Sequence, residues 1–134
     1  MKKILIRNTL LILTALLFLA PPSWAKSNGF CYVVSYSFAN KKAYFSPIFV
    51  QKVNSKSYSD EEFVTDVELI QKIESQFKSF ISSLVNLDPS KYTISARGAY
   101  KSNPIAIAKY KDEKHLYETK GYSVVILKDF KFVD

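Results

Sequence analysis

The chain has 134 residues, a formal net charge of +7, one histidine, one cysteine and three glycines. A single cysteine rules out an internal disulfide, and three scattered glycines leave no glycine-rich phosphate loop. The charge is spread along the chain without a basic block, which argues for mild attraction to anionic surfaces rather than for nucleic-acid binding.

The first residues read as a leader. Met1, Lys2, Lys3 and Arg7 make a basic start, and Leu10 to Ala20 is an apolar run. Pro21 and Pro22 break that run, and Ser23-Trp24-Ala25 supplies small residues at the two positions a signal peptidase reads. Cleavage is expected after Ala25, with no membrane span remaining. Arg7 and Asn8 interrupt the apolar stretch, so it is too short to serve as an anchor. The mature chain would be Lys26 to Asp134, 109 residues (134 − 25), with a net charge of +4 (7 − 3, as Lys2, Lys3 and Arg7 leave). It would form one domain in the periplasm or outside the cell. Arg97 is the only arginine left in it.

Phe30 to Phe38 alternates with a period of two and predicts a strand. Ala39 to Lys42 is a turn, and Ala43 to Val53 predicts a second, antiparallel strand. Pro47 cannot donate to a ladder, so that strand must lie at an edge or bulge there. The longest periodic run follows. Phe63, Val67, Ile70, Ile73, Phe77, Phe80, Ile81 and Leu84 recur at steps of three and four, the mark of an amphipathic helix over 60–85. Ser59 and Glu62 are spaced as a capping box, and Pro89 marks the end.

Tyr92 to Tyr100 alternates again, and its small residues either let the long helix sit close at Ala96 and Gly98 or mark a bulge at Gly98. Asn103 and Pro104 have the form of a helix start, and Gly121 that of a left-handed cap, predicting a second helix over 104–119. Tyr122 to Val133 predicts the last strand. The expectation is an α+β two-layer sandwich of order β-β-α-β-α-β, a mixed four-stranded sheet packed on both helices.

Chemistry-bearing residues are few. Cys31 and His115 could pair as nucleophile and base, but no local signature surrounds either. Asp60, Glu61 and Glu62 are explained by a helix start, and Asp112-Glu113 by a solvated helix surface, so no metal site and no cofactor is expected. The tyrosines exceed expectation: all nine lie beyond residue 25, mostly in strands. Tyr32, Tyr36, Tyr92, Arg97 and Tyr100 are the candidate contacts, a ring-and-cation platform on an open sheet face.

The closing stretch, Tyr92 to Val133, is a strand, a helix, Lys120-Gly121-Tyr122 and a strand. It resembles the closing half of SPOR domains, small exported modules that bind denuded peptidoglycan, although their element order is strand, helix, two strands, helix, strand. The sequence thus points to an exported, non-enzymatic binding protein whose ligand is a protein partner or a cell-envelope polymer such as peptidoglycan. The alternatives are an inhibitor or immunity-type protein and a small hydrolase using Cys31 and His115.

Overall fold

The computed structural model describes residues 25–84 and 87–134; the expected leader up to Trp24 and the helix end at 85–86 lie outside the described residues. In order, the elements are β1 (Lys26–Ser37), β2 (Lys42–Phe45), β3 (Phe49–Asn54), α1 (Val67–Leu84), a short 3-10 turn (Pro89–Lys91), β4 (Thr93–Tyr100), α2 (Asn103–Thr119) and β5 (Ser123–Ile126). The α+β class with a mixed sheet is as expected, but the sheet has five strands rather than four.

β1 is the central strand. One edge takes β4 antiparallel, with Tyr32 opposite Arg97 and Val34 opposite Ser95. The other edge takes β2 and β3 in series, with Val34 opposite Phe45 and Cys31 opposite Phe49. β5 joins the far side of β2 in parallel, Ala43 beside Val124.

The fifth strand comes from Pro47. From Val34 to Cys31 is three steps on β1, and from Phe45 to Phe49 is four on its partner, so one residue is extra. That extra residue is a bulge, and it divides the predicted second strand into β2 and β3. Ser46 repairs the gap. Its amide donates to the Val33 carbonyl at 2.9 Å, and its hydroxyl accepts the Val33 amide at 2.8 Å and donates to the Pro47 carbonyl at 2.8 Å. The Tyr110 hydroxyl, from α2, donates to the Ser46 carbonyl at 2.8 Å.

Both faces of β1 are apolar, and each needs a cover. Tyr32 and Val34 pack with Ala43, Phe45 and Tyr100 against Ala106, Tyr110 and Tyr117 of α2. Val33 packs with Tyr44 and Ile94 against Ile73, Phe77 and Ile81 of α1. The helices therefore cover opposite faces, and the molecule has three layers where two were expected.

α1 starts at Val67 rather than at residue 60. The Ser59 hydroxyl does accept the amides of Glu61 and Glu62, at 3.2 and 3.1 Å, but it caps a loop. The chain then runs along the outer edge of β4: the Lys101 amide donates to the Glu61 carbonyl at 2.8 Å and the Phe63 amide to the Ala99 carbonyl at 2.9 Å. Thr65 Oγ1 accepts the Ala99 amide at 3.1 Å, and Glu74 of α1 accepts the Ala96 amide at 3.1 Å. An edge strand's open backbone groups demand partners, and this pairing overrides the local helix pattern.

Gly98 does mark a bulge. Gly98 and Ala99 together oppose Cys31, between the pairs Tyr32–Arg97 and Phe30–Tyr100. Gly98 has φ +108°, and a Cβ there would lie 2.6 Å from the Phe30 carbonyl oxygen. α2 is capped by Ser102, one residue before the expected Asn103, and ends before Gly121 at φ +84°. The last strand stops at Ile126 instead of reaching Val133. The remaining chain carries Phe130 onto the α1 side, where its ring meets Phe77 edge-on at 5.0 Å.

Candidate functional site

The register of β4 on β1 sets Arg97 beside Tyr32 on the face under α2. From above, Ala106, Tyr110, Glu113 and Tyr117 form one helix stripe at steps of four, three and four, so Glu113 points at the sheet. It is not the solvated surface residue expected. Arg97 Nε donates to both Glu113 carboxylate oxygens at 3.1 Å, and a terminal guanidinium nitrogen donates to Oε2 at 2.9 Å. The other terminal nitrogen donates to the Ser95 hydroxyl. The Tyr32 hydroxyl donates to Glu113 Oε1 at 2.8 Å.

This is a fork-on-carboxylate pair with a buried phenol added, charge-assisted and geometrically demanding. Burial pushes the Tyr32 phenol pKa up, and the hydrogen bond to Glu113 and its negative charge push it further. For Arg97, burial works against the charge, but the bonds to Glu113 and its charge outweigh that and raise the pKa. The cluster holds α2 onto the β1–β4 pair.

A shallow groove of about 490 Å³ opens beside the cluster. Tyr32, Arg97 and Tyr100 line its sheet side; Lys109, Asp112, Glu113 and Leu116 line its helix side. Lys109 pairs with Glu61 at 3.1 Å, and Leu116 is half exposed. The groove therefore presents the Lys109 ammonium, the exposed Asp112 carboxylate and the half-exposed Leu116 beside Arg97, with Tyr32 and Tyr100 almost wholly buried beneath.

Three of the five sequence-predicted contacts thus converge. The open face expected for them does not exist, because α2 lies over it: Tyr32 is 1% and Tyr100 6% exposed. Tyr36 lies further along the same face, its ring 5.6 Å from Tyr117. Tyr92 is on the opposite face, 5.8 Å from the Tyr44 ring, in a separate depression with Gln71, Glu74 and Lys78. Glu113, Lys109 and Leu116 were missed. The signal for Glu113 was there, three residues after Tyr110 and four before Tyr117 on the apolar stripe.

Cys31 and His115 do not meet. Cys31 is buried with Val53 and Ala99, on the α1 side of the sheet. Burial pushes its thiol up to about 12. His115 is exposed on α2, which covers the other face. Among the described residues, no three His, Cys, Asp or Glu side chains gather as a metal site, and no helix is long and apolar enough to cross a membrane.

No family model, curated protein or solved structure matches the chain, so the likeness to SPOR domains gains no support from these comparisons. The functional reading rests on the site itself.

Proposed function

We propose that this is an exported, non-enzymatic binding protein, and that the groove between α2 and the β1–β4 pair holds its ligand. The observation that carries the reading is the convergence of Tyr32, Arg97 and Tyr100 with Lys109, Asp112 and Leu116 around one groove. Both charge signs beside an exposed apolar Leu116 suit a ligand that carries amines, carboxylates and apolar groups together. A protein segment or the peptide stems of peptidoglycan have that chemistry; a uniformly anionic nucleic acid does not.

Two observations bear on the alternatives. A hydrolase built on Cys31 and His115 would need the two groups on one side of the sheet, and its thiol would need a depressed pKa rather than a raised one. An inhibitor or immunity-type role shares the groove reading and differs only in its partner. Export rests on the leader pattern. β1 begins at Lys26, so among the described residues cleavage after Ala25 would spare every strand, at the loss of one 3.3 Å bond from the Ser55 amide to the Ala25 carbonyl.

The test is retention of Lys26–Asp134 on purified peptidoglycan and on immobilised envelope proteins, at low and moderate salt. Leu116→Ala and Asp112→Ala are the probes, since both side chains are exposed and neither joins the Arg97–Glu113 cluster. Salt-resistant binding weakened about tenfold by Leu116→Ala supports the groove. Binding unaffected by both substitutions refutes it.

A further inference from the structure

The end of the molecule away from the Glu62–Tyr100 contact carries a patch that the groove does not use. It is formed where the β1–β2 turn meets the α2–β5 turn. The Ser123 amide donates to the Lys41 carbonyl at 2.8 Å, and Lys42 stands beside Ser123 in the parallel pair. Phe38 projects from this tip and is 75% exposed. The Lys41 ammonium lies 4.3 Å from the Phe38 ring centre and 4.8 Å from that of Tyr122. Lys42 and Lys120 are exposed beside them, and Lys91 is exposed at the same end of the sheet, just before β4.

None of these four lysines has an ion-pair partner among the described residues, and the nearby Glu118 already pairs with Lys114 at 3.8 Å. The acidic run Asp60, Glu61, Glu62, Asp66 and Glu68 sits at or beyond the other end of β4, where Glu62 bridges Tyr100. Lysines without an ion-pair partner are thus concentrated at the tip; of the acidic groups near it, Glu118 is held by Lys114, and Asp88, near enough to feel the Lys91 charge, is held by the Ser90 amide and hydroxyl.

We propose that this tip docks on an anionic phospholipid surface, with Phe38 in the interface and Lys41, Lys42, Lys91 and Lys120 on headgroup phosphates. An exposed ring ringed by unpaired ammonium groups fits that occupant. Headgroups satisfy the lysines, and the headgroup–acyl boundary takes the ring out of water. A soluble polyanion would satisfy only the lysines and leave Phe38 exposed.

The experiment is co-sedimentation of Lys26–Asp134, which contains every described element and core cluster, with phosphatidylcholine vesicles made with and without phosphatidylglycerol. Soluble polyphosphate is run in parallel. Binding is expected only to the anionic vesicles. Lys41→Ala, Lys42→Ala or Lys120→Ala should each lower the partition about fivefold. Phe38→Ala should lower it about tenfold without changing polyphosphate binding. The substituted side chains are exposed, and a thermal melt checks that each variant is folded. Lys52→Ala, exposed on β3 opposite Asn28 at the other end of β1 from Phe38, should have no effect.

The proposal is overturned if anionic vesicles are not bound, if Phe38→Ala binds them as well as the parent, or if Lys52→Ala weakens binding as much as the tip lysines. Leu116→Ala should bind vesicles normally, so the groove and the tip stand or fall separately.

Discussion

Replacing Glu113 with alanine should destabilise the fold strongly, although the residue lies on a helix that is mostly exposed. The substitution leaves Arg97 without its counter-charge and the Tyr32 hydroxyl without its acceptor. Removing one partner of a fully buried pair costs about 3–5 kcal/mol. Here the Arg97 and Glu113 side chains are 30% and 17% exposed, so water relieves part of that, leaving about 2 kcal/mol. An orphaned Tyr32 hydroxyl, on a residue 1% exposed, adds about 1 kcal/mol. A loss of about 3 kcal/mol is a large share of a stability of about 5–15 kcal/mol.

Urea melts followed by circular dichroism measure it, as a lower midpoint at unchanged slope. Glu113→Gln keeps an acceptor for Tyr32 and should lose about half as much. The double replacement Arg97→Met with Glu113→Leu should be milder than Glu113→Ala, since it strands no charge. A Glu113→Ala loss below about 0.5 kcal/mol, the range of an ordinary surface change, would refute the reasoning that this cluster tethers α2.

Other outcomes are expected. Gly98→Ala should cost about 2 kcal/mol, because its φ of +108° is unfavourable for any side chain and the new Cβ would strike the Phe30 carbonyl; a melt within error of the parent would show that the bulge relaxes freely. Ser46→Ala should cost about 1–3 kcal/mol by orphaning the Val33 amide, again read from a urea melt. Cys31 should resist a thiol reagent at pH 8 while the protein is folded and react at once in denaturant, since burial holds its pKa near 12; rapid native labelling would contradict that burial. Tyr110 and Tyr117 are pushed up to about 12 by burial, in Tyr117 with the help of Glu113's charge. Their folded pKa values lie above the unfolded value of about 10, so their contribution is full below about pH 10 and is lost as pH rises towards 12. Ultraviolet titration of the folded protein should show phenolate absorbance delayed to that window.

Local pattern was enough to place β1, β4 and α2 to within a few residues, because alternation and capping are properties of short stretches. Gly98 and Gly121 were legible for the same reason: bulges and left-handed caps favour glycine. Pro47's missing amide left an edge position or a bulge, and the structure has the bulge. The first two turns assigned to the long helix were misread because Glu61 and Phe63 pair with the far end of β4, a partner about forty residues away that no periodicity records. The last strand was cut short in the same way, when Phe130 turned into the aromatic cluster around Phe77. Residues Tyr32, Arg97 and Tyr100 could be picked by type, but not the fact that they share a groove while Tyr92 faces the other way. That depended on strand register, where a shift of one residue reverses a face.

The sequence by itself determined most element types, marked Pro47 and Gly98 as points where a strand could bulge, which follows from backbone chemistry within a few residues, and through its single cysteine ruled out an internal disulfide. Only the tertiary structure decided that the helices lie on opposite faces, that Glu113 closes on Arg97, and that Cys31 and His115 are kept apart. The physical reason is that each of these is a contact between residues distant in sequence, chosen by which apolar faces need covering and which buried charges need partners.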